Sequence, residues 1–404
     1  MPEFNTPPRA SRPLAGGIAA ILWAVVLAVL LLRAGLHPHR PTSLTTYLAG
    51  GEAWNELQPV YTNWRGFVYP PVVAWFFSLL NHLPLALDAI LWRLLTAGVF
   101  LLGIESLLRS GIFHRIPSSS HGLIYLGLLP LSIGNLDNAQ ANPLIAGLMM
   151  LSVAAFQWEA WNLCALAIGI AITFKIYPVA LALLLCLLRP RRLSWRILIW
   201  LLIPAIIPFA VQNPHYAAAQ YHAWLQGRMG DNRFEYPMKD APLDLWYLLV
   251  RVGRLPVSER AYTALQVICG AAIAALVLLQ SRRRLPQRDI LANLFLMVSA
   301  WMLLLGPATE NQTYVVLAPA ACLAAVQSLT CSSCRTRLFA LSAVTLLLAA
   351  VGRNSLFPHI KSPVEMTIQP IAALLLLAAI VMELRITSEI DPGMTSVPTP
   401  GGPR

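Results

Sequence analysis

Y-L-A-G-G-E-A-W-N-E-L-Q-P-V-Y-T-N-W-R-G-F-V-Y-P-P, residues 47–71, is a polar, aromatic segment set between long apolar runs. An apolar run over about 14–36 precedes it, and a helix opens at Tyr69-Pro70-Pro71. A spanning helix needs about 20 apolar residues, so the segment lies outside a bilayer that the flanking chain enters. A long aromatic loop of this kind is unusual for a channel. It suits an enzyme that works on a lipid-linked substrate at the bilayer surface.

Composition agrees with that placement. The chain has 404 residues, 57% hydrophobic and only 12% charged, where a soluble domain carries about 25% charged residues. The chain is therefore read as an all-α polytopic membrane protein. The net charge of +11 sits in short clusters between apolar runs: Arg189 to Arg196, Arg282 to Arg288, and Arg335 with Arg337. That is the positive-inside pattern, with membrane lipids as partners rather than nucleic acid. Cys164, Cys186, Cys269 and Cys322 lie in apolar spans as small core residues. Cys331 and Cys334 form a C-S-S-C loop of reduced thiols. They lack the second pair a zinc site needs. His215 and His222 share a helical face without a third ligand. No metal site and no cofactor is read in the chain.

The start does not resemble a cleaved signal, because the first apolar run exceeds a signal h-region of about 7–15 residues. Residues 1–13 are expected as a disordered cytoplasmic N-terminus, 14–388 as one transmembrane domain, and 389–404 as a disordered tail. Spans are predicted near 14–36, 68–84 and 86–108, and two in 121–157, broken by G-N-L-D-N-A-Q-A-N-P at 134–143. One more is predicted over 161–188, interrupted at Phe174-Lys175-Ile176-Tyr177-Pro178. Others follow at 197–211, 261–280, 290–307, 314–329, 338–352 and 366–384. The total is about twelve crossings, with external loops at 37–67 and 212–260. Residues 109–120 resist the scheme: they carry Arg109 and Arg115 yet fall outside. The 121–189 stretch is also compatible with a re-entrant pair.

The Y-L-A-G-G-E-A-W…V-Y…F-V-Y-P-P segment, G-N-L-D-N-A-Q-A-N-P-L, and A-I-T-F-K-I-Y-P followed by R-P-R-R occur in that order. Together they resemble glycosyltransferase family 87, membrane mannosyltransferase-like proteins of the GT-C fold. The resemblance covers about residues 40–196 well and the C-terminal half loosely. It implies an inverting transfer of a sugar, mannose or another hexose, from a polyprenyl-phosphate carrier to a lipid or glycan acceptor. The reaction would occur at the outer face of a bacterial inner membrane. It also implies an acid in the first external loop as general base. Here the chain departs from the family: Ser43 stands at the acid's position, and Thr45 where a second acid sometimes occurs. The family often has a P-x-S-W-D-H-like turn where this chain has Pro307, Thr309, Glu310, Asn311 and Gln312.

The residues leave two candidate bases. Glu310 lies in a short turn between apolar runs, where partial burial is expected. Glu52 lies with Glu56 on an amphipathic helix predicted over about 43–57, on the same general side as Tyr47 and Trp54. Both are otherwise solvated surface carboxylates. Lys175 sits near the middle of an apolar stretch, where an uncompensated charge costs about 2.5–3.5 kcal/mol. It either binds the carrier phosphate or pairs with Asp137. Tyr47, Tyr69, Asn138 and Asn142 come from the family-like motifs as substrate contacts. In the second loop, Arg228 and Arg233 could meet an anionic headgroup or pyrophosphate. Trp224 and Tyr236 could stack on a sugar. The same residues also fit an aromatic belt with surface charges. Two rival functions stand beside the transferase. A transporter or flippase would show internal repeats, and none is visible. A non-catalytic binder of lipid-linked sugar would explain Ser43.

Overall fold

The computed structural model describes residues 14–62, 66–237, 240–306, 309–331, 334–356 and 365–389. Residues 1–13, the tail from 390, Asn63, Lys239, Pro307 and the Ser332-Ser333 pair of the C-S-S-C loop lie outside that set. The described residues form helices and no strand. In chain order they are α1 (Leu14–Leu36), α2 (Ser43–Asn55), α3 (Pro71–Leu80), α4 (Leu85–Arg109) and α5 (His121–Asp137). Then come α6 (Asn142–Gln157), α7 (Trp161–Phe174), α8 (Val179–Leu188), α9 (Pro190–Val211) and α10 (Pro214–Met229). The last five are α11 (Glu259–Arg282), α12 (Gln287–Leu304), α13 (Ala318–Cys331), α14 (Cys334–Leu356) and α15 (Ile368–Glu389).

Hydrogen bonds and ion pairs sort the helix termini into two ends. At one end Ser43 N donates to Asn138 O (3.0 Å), Asn138 Nδ2 donates to Gln312 Oε1 (3.0 Å), and Gln369 Nε2 donates to Asn311 Oδ1 (2.7 Å). This is the polar end, and it carries both long loops. At the other end His114 Nδ1 lies 3.8 Å from Asp289, Arg115 lies 3.9 Å from Glu383, and Arg189 donates to Gln287 (3.1 Å). Arg196 donates to Asn162 there (2.8 Å). This is the basic end.

Two predicted spans change in this arrangement. Helix α3 has ten residues, about 15 Å at 1.5 Å per residue, half of a hydrocarbon core of about 30 Å. It stays at the polar end against α2: Asn55 Nδ2 donates to Ser78 O (3.2 Å) and Asn81 Nδ2 to Leu48 O (3.0 Å). Gly51 allows that contact, since a Cβ there would lie 2.6 Å from the Phe77 backbone. The 161–188 stretch is a hairpin rather than one crossing. Helix α7 leaves the basic end at Asn162, turns at Lys175–Pro178, and α8 returns to Arg189. The predicted span over 68–84 is thus no crossing, and the predicted span over 161–188 is a re-entrant pair. Residues 109–120 consequently sit at the basic end with the arginine clusters, and the G-N-L-D-N-A-Q break sits at the polar end.

Helices α1, α4, α5, α6, α9 and α11–α15 run between the two ends. Four of them, α1, α4, α9 and α11, are long and apolar enough by composition to cross a membrane. Helix α6 is shorter, sixteen residues, and all but Leu151 and Gln157 are buried. A helix enclosed by protein need not match the lipid thickness. Its contact with α4 is backbone to backbone: a Cβ on Gly103 would meet Gly147 O at 2.3 Å.

Candidate functional site

The site forms where α2, the α5–α6 break, the α7–α8 tip and the 309–317 turn meet. The α5–α6 break supplies amides. Asn138 caps the C-terminus of α5, and Asn142 opens α6 ahead of Pro143, where a missing backbone N–H is harmless. Ser43 opens α2 beside them. Its Oγ accepts from Gln140 Nε2 (2.5 Å) and Asn138 Nδ2 (3.2 Å). Tyr47, one turn further along α2, shares a 3.1 Å hydrogen bond with Tyr69. Its hydroxyl accepts from Ala141 N at 3.4 Å. Both phenols are buried against Phe67, Phe77 and Trp92. Burial holds both hydroxyls above the ordinary tyrosine range, so they stay neutral donors.

Lys175 ends α7 in extended conformation, φ −144° and ψ 140°. This turn follows from Pro178, which lacks an N–H and bars α7 from continuing. The sequence placed Lys175 mid-span; the structure places it at the hairpin tip, within reach of the polar end. Its Nζ donates to Asn142 Oδ1 at 2.9 Å, and Asn142 Nδ2 reaches Asn135 Oδ1 at 3.4 Å. A Lys175–Asp137 pair does not form. Asp137 is taken by Arg40 (2.8 Å) and Arg33 (3.3 Å), and its backbone carbonyl accepts from Arg93 (2.7 Å). The competing guanidiniums come from the end of α1, from the connection between α1 and α2, and from α4, which a linear reading of 121–189 does not bring near.

Glu310 opens the 3₁₀ turn Asn311–Val316, with its backbone N 3.2 Å from Thr313 Oγ1. It is exposed rather than partly buried. Its carboxylate nonetheless acts electrostatically on Tyr47, Tyr69, Lys175 and Tyr177. The turn is fixed by its neighbours: Leu243 N donates to Thr309 O (2.7 Å) and Thr309 Oγ1 to Leu303 O (2.8 Å).

Glu52 does not join this cluster. Tyr47 and Trp54 are buried, while Glu52 and Glu56 are exposed. Five residues at about 100° each turn Glu52 roughly 140° away from Tyr47. Arg233 is likewise unavailable to substrate. It is paired with the fully buried Asp244, and its guanidinium also donates to Gly306 O. Arg228 lies apart from the cluster, 3.3 Å from Asp231. Trp224 Nε1 donates to Val68 O at 3.1 Å. Both line a separate cleft of 430 Å³ between the two loops.

Gln140, Tyr177, Asn135 and Gln312 belong to the cluster and were missed in the sequence. Tyr177 sits inside the K-I-Y-P turn and Gln140 inside the amide run, so position within the motifs was the available signal. The Tyr177 hydroxyl is buried without a hydrogen-bond partner among the described residues. The cluster thus joins an ammonium, a carboxylate, three phenols and a set of carboxamides at one end of a helical bundle. A cation beside amides can hold a phosphate, and a carboxylate can take a proton from a hydroxyl. No group of three or more metal-ligating side chains occurs among the described residues.

Comparison with known proteins adds the following. ArnT from Cupriavidus metallidurans bound to undecaprenyl phosphate is similar at 15% identity, over 96% of this chain and 82% of that one, with a TM-score of 0.45. The apo state of the same protein gives 14% identity, 93% and 80% coverage, and a TM-score of 0.41. No curated protein sequence matches the chain. Residues 67–307 match Glycosyltransferase family 87. The match takes in Tyr69, the amide run and the K-I-Y-P turn. It begins after Ser43 and Glu52 and ends just before Glu310. It spans more than half of the 404 residues: the chain belongs to glycosyltransferase family 87.

Proposed function

We propose that the protein is a GT-C-type membrane glycosyltransferase that moves a hexose, mannose being one candidate, from a polyprenyl-phosphate carrier to a lipid or glycan hydroxyl. One observation carries this reading: the Lys175 ammonium, bonded to Asn142, lies within the electrostatic reach of the Glu310 carboxylate at the polar end, and we assign the first to the phosphate and the second to the proton. The acceptor hydroxyl gives its proton to the Glu310 carboxylate. Its oxygen forms the new bond to the anomeric carbon as the bond from that carbon to the carrier phosphate oxygen breaks. The configuration inverts. The phosphate leaves as the carrier monophosphate, and the Lys175 ammonium balances its added charge. Asn142 holds Lys175 in place, while Ser43, Asn138 and Gln140 supply hydrogen bonds to the sugar. The Tyr47 and Tyr69 phenols, neutral because buried, are further donors.

The same reading sets the orientation. The arginine clusters 189–196 and 282–288 lie at the end opposite the site. The positive-inside rule therefore directs the site to the outer face of a bacterial inner membrane. The test is direct. Purified protein in nanodiscs receives radiolabelled polyprenyl-phosphate-hexose and membrane lipid or glycan acceptor. Label should move to the acceptor with inversion in the parent protein and not in Glu310→Gln. Carrier binding without any transfer by the parent would instead describe a non-catalytic binder.

A further inference from the structure

Where α1, its connection to α2, α4 and α5 meet at the polar end, three guanidiniums face one carboxylate. Arg33 and Arg40 lie 3.3 Å and 2.8 Å from the Asp137 carboxylate, and Arg93 Nη2 donates to the Asp137 carbonyl at 2.7 Å. Arg93 belongs to a spanning helix and is 5% exposed, yet it meets only carbonyls. Its Nη1 donates to Ala89 O at 2.9 Å, and its Nε is buried without a partner among the described residues. An ionisable residue held this way inside a spanning helix marks function. Arg33 and Arg40 each spend one nitrogen, Nη1, on Asp137. Their side chains are 50% and 37% exposed, so the rest of each fork is open to the surface. Asp137 is the only acid among the described residues that line the site, and with His37 neutral a surplus of two positive charges is left. The undescribed loop residues 63–65, 238–239, 307–308 and 357–364 contain no Asp or Glu, so none of them supplies the missing charge.

The site is shaped for contact from outside. The cavity enclosed among Arg33, His37, Arg40, Thr42 and Arg93 measures 10 Å³, room for about one water. A ligand therefore rests on the exposed nitrogens rather than within the protein. From Arg33 toward the basic end, α1 shows Leu32, Val29, Val25 and Leu22, all exposed. Their spacings of three and four residues keep them on one side of the helix, and Arg33, four residues after Val29, stands at the polar end of that side. An apolar strip that ends in surplus positive charge matches an amphiphile, with its acyl chain along α1 and its phosphate at Arg33 and Arg40. Guanidinium forks take phosphate oxygens in pairs. The surplus favours a headgroup of net negative charge over a zwitterion, whose own cation would meet the arginines. Lys175 is not part of this site: it sits with Asn142 at the opening of α6, whereas Asp137 closes α5 beside α1.

We propose that Arg33, Arg40 and Arg93 form a binding site for the phosphate headgroup of an anionic phospholipid, in the leaflet at the polar end. The assignment does not rest on the transferase reading. The test uses the full chain in phosphatidylcholine nanodiscs doped with a phospholipid that carries a photoreactive group beside its phosphate. The probe is either phosphatidylglycerol or phosphatidylcholine, and adducts are located by digestion and mass spectrometry. The phosphatidylglycerol probe should label residues around 32–45, and the phosphatidylcholine probe should do so at least about tenfold less. Arg33→Gln should cut the phosphatidylglycerol labelling about fivefold, the worth of one cation at the membrane surface. Arg33→Lys should keep most of it. Unchanged melting and unchanged labelling near the 189–196 cluster mark each variant as folded. Two competitors identify the source of the phosphate. Inorganic phosphate at constant ionic strength, and polyprenyl phosphate at one equivalent per protein with the probe in excess, should both leave the labelling in place. Displacement by inorganic phosphate would make this a free-anion site, and displacement by polyprenyl phosphate would give the arginines to the carrier; either result overturns the proposal. So would equal labelling by the two probes in the parent, no labelling near Arg33, or unchanged labelling in folded Arg33→Gln.

Discussion

Lys175→Met separates a phosphate-binding lysine from a structural one. Methionine keeps the apolar stem and removes the ammonium. Two stability effects then oppose each other. Asn142 Oδ1, now without its 2.9 Å donor and fully buried, loses about 1–3 kcal/mol. Removing a charge from an apolar surround returns up to about 2.5–3.5 kcal/mol on insertion scales, and less near the polar end. The net change in stability should stay within about 2 kcal/mol. Binding has no such compensation. A hydrogen bond to a charged group contributes about 1.5–3 kcal/mol. At about 1.4 kcal/mol per tenfold, the carrier phosphate should bind roughly 10- to 150-fold more weakly. The assay compares a polyprenyl phosphate with the matching polyprenol in nanodiscs, on parent and variant. The parent should prefer the phosphate, and Lys175→Met should lose most of that preference while the polyprenol binds alike. A folded variant with its phosphate preference intact would refute the argument and leave Lys175 as a clamp on Asn142.

Three further outcomes follow. Glu310→Gln keeps size and hydrogen bonding but removes the basic lone pair, and should lower the transfer rate about 10²–10⁴-fold. Glu52→Gln, on the exposed face of α2, should leave the rate within a factor of two or so; the reverse ranking would move the base to α2. In a cysteine-free background, cysteines at Gln58 and Gln226 should react with an impermeant thiol reagent in intact cells. Cysteines at Ser118 and Arg191 should react only after permeabilisation, and labelling of Ser118 from outside would break the assignment of 109–120 to the basic end. Arg233→Met removes one partner of a buried ion pair and should destabilise the protein by about 3–5 kcal/mol, read as thermal melting. Unchanged melting with lost carrier binding would return Arg233 to the substrate.

The fold was legible wherever apolar runs were interrupted by strong punctuation. Pro143, Pro178, the arginine clusters and the polar 212–260 segment mark true ends. Number and direction of crossings were not legible, for a physical reason. Composition reports whether a helix tolerates an apolar surround, not whether that surround is lipid or protein. Helix α3 is apolar because it packs on α2, and α7 and α8 are apolar because one face packs on the bundle while Leu163, Ile170, Leu183 and Leu187 stay exposed on the other. Reading α3 as a crossing added one pass, and reading the 161–188 hairpin as one crossing added another. The two changes cancel in parity, so both long loops and the later arginine clusters kept their ends. Between them every loop was inverted, which is why Arg109 and Arg115 stood on the wrong side. That residual conflict was the mark of the paired error, since positive charge tracks the true end of a helix whatever its length.

The site divides in the same way. Lys175 stood out because a lone ammonium in an apolar stretch has a cost that function or pairing must offset. The alternative partner, Asp137, is already held by Arg33 and Arg40, which come from another stretch of chain than the one that carries Lys175. Gln140, Gln312 and Tyr177 carry no charge, and a neutral amide or phenol in a loop leaves no trace until the fold brings it to Ser43, Asn138 and Lys175. Ser43 is the informative case. As a sequence position it registers only as a missing acid. In the structure its hydroxyl is bound by two carboxamides from the α5–α6 break, and one of these, Asn138, also bonds Gln312, two residues from Glu310. Loss of an acid on α2 and presence of one in the 309–317 turn therefore concern a single cluster. Hydrogen bonds across 174 positions of chain separation, as between Asn138 and Gln312, are what the linear sequence does not record.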